Sequence, residues 1–181
     1  MKFRSADLQD AEQVAMLHAD SWRRHYRGAY ADSFLDGDIA AERRAVWEER
    51  LAASTGSATI LAEEDDQLVG FVHVMLDRDP DWGSLVDNLH VHHSRHRSGI
   101  GTQLMAQAAQ AVLERAQGND MYLWVLVQNT AAQKFYLASG AANVETAHVP
   151  PPGGDPSRLN GRPECYRMAW PDVTALSASC S

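Results

Sequence analysis

A chain of 181 residues with 45% hydrophobic content is the size of one domain with a substantial buried core, and a second domain is not expected. Its formal charge of −8 argues against nucleic-acid binding, which relies on a basic surface to displace counterions from phosphates. The N-terminal MKFRSADLQDAEQV lacks an apolar signal core and no run reaches the roughly eighteen apolar residues of a membrane helix, so a cytoplasmic protein without a membrane partner is expected.

Lys2 to Ser5 reads as a short first strand. Asp7 and Asp10 then open a helix whose apolar positions Leu8, Ala11, Val14 and Ala15 recur at helical spacing. In the next stretch Trp22, Tyr26, Tyr30 and Phe34 recur every four residues. They fit a helix face packed on the core, and equally the wall of a substrate pocket, with Gly28 breaking the helix to leave a lid. Ile39 to Ala52 is a further helix. From Ala58 the period changes to that of strands: ATILAEE and QLVGFVHVML flank Asp65-Asp66 as a hairpin, and Gly70 inside the second run marks a bulge or a close backbone approach.

After the loop at Arg78 to Gly83 comes a strand, SLVDNLHV, then a basic loop and a long Ala/Gln/Leu helix beginning near Ser98 to Gly101. Gly118-Asn119-Asp120 ends that helix. MYLWVLVQN is a nearly continuous apolar strand, and TAAQKFYLASGAA a short helix closed by Gly140. Residues 149 to 163 hold five of the seven prolines and three glycines, so they form a loop before a last strand, ECYRMAW. One domain over residues 1–173, with a frayed Ser/Ala tail over 174–181, is the expected organisation. The order of elements gives a mixed α/β sheet flanked by helices.

The loop between SLVDNLHV and the long helix is where a ligand is expected. Four of the eight histidines (His90, His92, His93, His96) and two arginines (Arg95, Arg97) fall within eight residues at the end of that strand and in the loop, against an acidic background. The helix start leaves its first N–H groups unpaired and carries partial positive charge, which suits a phosphate, and Gly99 and Gly101 let an anion approach them. A dinucleotide loop would need glycine where Leu104 stands, and a Walker loop would need Lys-Ser/Thr after Gly101, where Thr102-Gln103 stand. A metal is not expected: HVHH alternates faces on a strand, and no carboxylate or cysteine cluster completes a ligand set.

The segment LHVHHSRHRSGIGTQLM resembles the acetyl-coenzyme A loop of the GNAT superfamily of N-acetyltransferases, and WVLVQNTAAQKFYLASGA resembles that family's next strand and helix. SWRRHYRGAY and ECYRMAW fit common members, so the resemblance covers nearly the whole chain. His96 departs from the Arg or Gln of the family loop, and Ala141 from the aromatic residue that often follows the glycine. The resemblance implies a mixed, mostly antiparallel sheet and acetyl-CoA as co-substrate. Leu89, His90 and Val91 would pair with the pantetheine arm, and His96, Arg97, Ser98, Gly99, Ile100, Gly101 and Thr102 would cradle the pyrophosphate. Asn129 would contact the cofactor arm, and Tyr136, whose other reading is a packed helix aromatic, would protonate the leaving thiolate. The oxyanion would meet a strand N–H near Val91.

Acetyl transfer needs a free amine, and at neutral pH only roughly one lysine-like amine in a thousand has lost its proton. The base expected to take that proton is Asp87, then His90, then Glu63 and Glu64. Cys165 and Cys180 lie away from the cofactor motifs, so direct transfer without a covalent enzyme intermediate is expected. The acceptor, a primary amine of a small molecule or peptide, would enter between the aromatic residues Trp22, Tyr26 and Tyr30 and the Pro/Gly loop around Arg158, with Glu63 nearby. The acidic composition leans toward a cationic amine, while Arg158 and Arg162 would equally read a carboxylate. The rival reading is a catalytically silent CoA-binding sensor or interaction module. Homodimers are common among similar proteins.

Overall fold

Two helical layers cover a twisted sheet, and alternation along the central strands decides which side chain meets which layer. The computed structural model describes residues 1–53 and 55–178. Strands β1 (Lys2–Ser5), β2 (Ser57–Glu64), β3 (Gln67–Asp79), β4 (Gly83–Val91), β5 (Met121–Leu126), β6 (Ala142–His148) and β7 (Glu164–Trp170) form one sheet in the order β1-β2-β3-β4-β5-β7-β6. Only β4 and β5 run parallel.

The helices are α1 (Ala11–His25), α2 (Asp32–Leu35), α3 (Ile39–Ala52), α4 (Ile100–Arg115), α5 (Thr130–Ala138) and α6 (Thr174–Ser177). On one face α4 lays Leu104, Met105, Ala108 and Val112 over Ile60, Ala62, Val72 and Val74. On the other, Val14, Ala15 and Leu17 of α1 and Trp47 of α3 cover Leu61 and Phe71. Neighbouring residues of one strand thus serve opposite layers, which is why β2 and β3 are apolar without interruption. Gly70 lies under α4: a Cβ there would stand 3.0 Å from Leu104 Cδ1 and 3.1 Å from the His90 carbonyl, so close approach is its role, beside a bulge in the β2–β3 pairing. Asp65 and Asp66 both take positive φ, 51° and 59°, the pair of angles that a two-residue hairpin turn requires.

Three segments differ from the sequence expectation. Strand β6 was not foreseen, because it pairs only with β7 at the sheet's edge and is exposed along almost its whole length, so no apolar alternation marks it. The aromatic stretch is not one helix: α1 ends at His25, Gly28 turns the chain at φ +90°, and α2 follows. The tail is helical over Thr174–Ser177, with Leu176 buried beside Val173 against the α4 layer; Cys180 lies outside the described residues.

The feature that makes room for a site is in β4. It pairs with β5 at Ser84 and Leu85 alone, and beyond that point the two parallel strands separate. In its pairing with β3 the register jumps from Val74–Val86 to His73–Asn88, so Asp87 is the extra residue of a bulge. The bulge changes which layer each residue faces: Val86 belongs to the α4 side, whereas His90 bonds Ser21 of α1.

Candidate active site

A cavity of about 660 Å³ opens where β4 and β5 part. Its floor is β4 from Val86 to Val91, one wall is β5 with Asn129, Phe135 and Tyr136, and one end is the start of α4. Gly99, at φ +84°, caps α4 in the left-handed region, and Arg97 before it also has positive φ, 65°. The first bonded amide of the helix is that of Gln103, donating to the Gly99 carbonyl at 3.1 Å, so the amides of Ile100, Gly101 and Thr102 precede the helical ladder and face the cavity end. A Cβ on Gly99 would meet no atom within 4 Å, and one on Gly101 the Phe135 ring at 3.5 Å and Val91 Cγ2 at 4.0 Å: the space above Gly99 at the helix end is open. With Arg95 and Arg97 on the same rim, the geometry is that of an anion cradle.

His96 does not point along this cradle. Its Nε2–H donates to the Val91 carbonyl at 3.0 Å, and its ring stacks on His25 with centroids 5.7 Å apart, so it ties the loop back to the end of β4. Arg95 is also partly engaged, pairing with Glu64 at 2.5 Å. Asn129 caps α5 by accepting from the Ala132 amide at 3.2 Å, and its position at the end of the splayed strand puts it in the cavity wall. Tyr136 lies in the same wall, buried, edge-on to Trp170. Burial, and secondarily Tyr26, pushes its phenol well above the ordinary value, so it keeps its proton and has an O–H to donate.

A second cavity, about 450 Å³, lies on the α1–α3 side, lined by His18, Trp22, Tyr26, Tyr30, Arg43, Arg50 and the loop from Pro150 to Gly153. Tyr26, Asp87, Asn88 and His90 line both cavities and form the boundary they share. Trp22 and Tyr30 are core residues that also line the second cavity. The loop is fastened by the Arg158 guanidinium, which pairs with Glu42 at 2.6 Å and lies over the Phe34 ring, and by the Arg158 carbonyl, which accepts from the Ala31 amide at 2.8 Å.

The titratable groups at this shared boundary differ sharply. Arg50 reaches from the last turn of α3 to Asp87 Oδ2 at 2.8 Å, and Asn88 Nδ2 donates to the same oxygen at 2.6 Å. His90 is buried, its Nδ1 in a 2.7 Å hydrogen bond with Ser21 Oγ, and burial depresses its pKa to about 3. Expected as a base with near-neutral affinity, it is instead held as a neutral imidazole that gains no proton at physiological pH. It does face away from Leu89 and Val91, as alternation predicts. Burial, reinforced by Asp87, pushes the Tyr26 phenol up to about 12.

Two expected substrate residues lie elsewhere. Glu63 sits on β2 beside the edge strand, where Arg4 takes its carboxylate at 2.7 Å and Lys2 stands 3.7 Å away; it lines neither cavity. Arg158 fastens the loop rather than lining the second cavity. Sequence reasoning missed Arg43, Arg50, His18 and Ser21, whose only signal is a helical position on a face that tertiary packing turns toward β4. Cys165 lines neither cavity, and burial, then Glu145 and Glu164, raises its thiol to about 11. Among the described residues no group of three or more His, Cys, Asp and Glu is placed to hold a metal, and no helix is long and apolar enough to cross a membrane.

A helix start with open space above it at the splay of two parallel strands, and a second cavity adjoining at four shared residues, make a site with room for two ligands. The chain belongs to the acetyltransferase (GNAT) family, whose sequence model matches residues 16–141. It is 26% identical over 177 residues to YuaI of Bacillus subtilis, named an uncharacterised N-acetyltransferase, with 96% of this chain and 94% of that protein covered. The fold is shared with the PaiA N-acetyltransferase of Thermoplasma acidophilum in complex with coenzyme A, at a TM-score of 0.73 and 17% identity over 93% of this chain and 96% of that one. It is also shared with YncA of Salmonella typhimurium with acetyl-CoA, at 0.65 and 19%, over 94% and 93%.

Proposed function

We propose that this protein is an acetyl-CoA-dependent N-acetyltransferase that transfers the acetyl group directly to a primary amine of a small molecule or peptide. The observation that carries the reading is that two cavities adjoin at Tyr26, Asp87, Asn88 and His90, with an anion cradle at the far end of the first. The coenzyme A and acetyl-CoA carried by the Thermoplasma and Salmonella proteins support the assignment of the first cavity to the co-substrate. The open space over Gly99 fits a pyrophosphate, and the splay beyond Leu85 leaves β4 backbone groups for the pantetheine arm.

In this reading the amine arrives from the second cavity. Its lone pair attacks the thioester carbonyl while its proton passes, directly or through water, to Asp87, whose two contacts among the described residues both fall on Oδ2 and so leave Oδ1 for the task. The carbon–sulfur bond breaks, and Tyr136 gives its proton to the departing thiolate. Cys165 takes no part.

The test is release of free thiol from acetyl-CoA in the presence of an amine panel. Thiol released in proportion to acetylated amine is expected; tight CoA binding with no release for any amine would establish the silent CoA-binding module instead. Tyr136→Phe is expected to lower kcat by about 10–100-fold with CoA affinity within about twofold of the parent, and an unchanged kcat would remove Tyr136 from the reaction.

A further inference from the structure

The second cavity carries more information than its shape. Its lining residues include two guanidiniums, Arg43 and Arg50, and a single carboxylate, Asp87. Arg50 is matched by Asp87. Arg43 is only 8% exposed, lies with its Cζ 4.4 Å over the Trp22 ring, and has as its carboxylate contact Glu42, 3.3 Å away. Glu42 is shared: its Oε1 lies at 2.6 Å from Arg158, with which Asp155 also pairs, more loosely, at 3.8 Å. Arg43 thus meets a single carboxylate through both Nε and Nη2, each at 3.3 Å, and shares it with Arg158; the cavity offers its planar fork room for a closer carboxylate.

The floor of the same cavity adds an unmatched donor. Trp47 Nε1 donates to His18 Nδ1 at 3.0 Å, so Nδ1 is the accepting nitrogen and the ring proton is on Nε2. His18 is 2% exposed, and its Nε2 has no hydrogen-bond partner among the described residues. The rings of Trp22, Trp47, Phe71 and His90 pack around it without hydrogen-bonding to that nitrogen. Burial, then His90, Arg43 and Arg50, lowers the affinity of His18 for a second proton. An N–H left without a partner in such a place is costly unless something from the cavity accepts from it.

We infer that the acceptor is an amine that also carries a carboxylate, the class of amino acids, with its carboxylate received on the Arg43 and His18 side and its amine directed to Asp87. This rests on the acetyltransferase reading and deepens it. It also reverses the lean toward a cationic acceptor that the overall charge suggests: a polyamine entering here would meet Arg43 and Arg50, and the excess carboxylates of the chain lie elsewhere. The recognising arginine is Arg43, not the Arg158 or Arg162 of the loop.

The deciding experiment is the thiol-release assay with a panel of amino acids, each matched to its carboxamide and to its decarboxylated amine, with spermidine as a pure polycation. Rates are compared as kcat/KM per free amine, because the three members of each set differ in amine basicity. For the preferred set the carboxylate member is expected to exceed both partners by about 10-fold or more, and Arg43→Gln to cut that preference to about twofold through KM, with Arg43→Lys recovering part of it. CoA affinity of each variant, read by calorimetry, reports whether it is folded. If carboxamides, decarboxylated amines or spermidine react as well as or better than the carboxylates, or if Arg43→Gln keeps CoA affinity and leaves the preference intact, the inference fails while the acetyltransferase reading stands. If no amine releases thiol, both fail.

Discussion

The two cavities share four residues and are built by opposite means. The first is made mainly of backbone: amides at the start of α4, the freed edge of β4, and positive φ at Arg97 and Gly99. The second is made of side chains sent from α1, the turn around Tyr30, α3 and the loop at 150–153. A backbone site depends on dihedral angles and tolerates exchange of side chains, which is why His96 can stand where the family has Arg or Gln and bond to the Val91 carbonyl instead. A side-chain site depends on each residue and on the packing behind it, so its chemistry can differ while the fold stays the same.

Three measurements would break or sharpen this contrast. The largest effect is expected from Trp47→Ala, which removes a fully buried ring of the second cavity's support together with the hydrogen bond that sets the His18 tautomer. A loss of about 3–5 kcal/mol in urea unfolding is expected, with CoA affinity of the folded protein within about twofold of the parent. A parallel loss of CoA binding would show that the two cavities do not stand apart.

Acid should act next, and on the histidine side of the molecule. Burial lowers His90 to about 3 and His73 to about 4, so below the unfolded value of about 6.5 the unfolded chain holds protons that the native chain lacks. The stabilising contribution is complete above pH 6.5 and is lost as pH falls through the window from about 6.5 to 3. At pH 5 the cost is about 2 kcal/mol for each histidine, about 4 together. Asp10 and Glu63, held below their ordinary values first of all by hydrogen bonds from Arg4, lose theirs only at lower pH. Urea midpoints at pH 7 and pH 5 check the window, and equal midpoints would contradict neutral, buried rings.

Gly99→Val tests the backbone site. At φ +84° a β-branched residue is strained by about 1–2 kcal/mol, and its methyls would fill the space over the helix end. CoA binding by calorimetry should weaken by about 100-fold, about 2.7 kcal/mol. Undiminished affinity would show that the phosphate groups lie elsewhere than over Gly99.

The contrast also explains what could be read from the chain alone. The bounds of α3, the Asp65-Asp66 hairpin, the start of α4 between Ser98 and Gly101 and the start of α5 at Thr130 are local matters of caps, turns and periodicity, so they were legible before any packing was known. Strand β6 was not, because an exposed edge strand has no buried face to leave a pattern. Asp87 was legible as a residue of β4 but not as a bulge, since a bulge exists only in the register with β3. His90 appeared a plausible base because its ordinary pKa is near neutral; only the layer of α1 over it reveals an imidazole that takes up no proton.

The sequence by itself determined the family and the order of the elements other than β6, because backbone conformations are set by residues within a few positions of one another. Tertiary structure alone decided that Glu63 serves Arg4, that Arg158 fastens a loop, and that Arg43, Arg50 and His18 converge beside Asp87. Those residues stand tens of positions apart, and what each can do depends on the charge, the burial and the partner that folding brings to it.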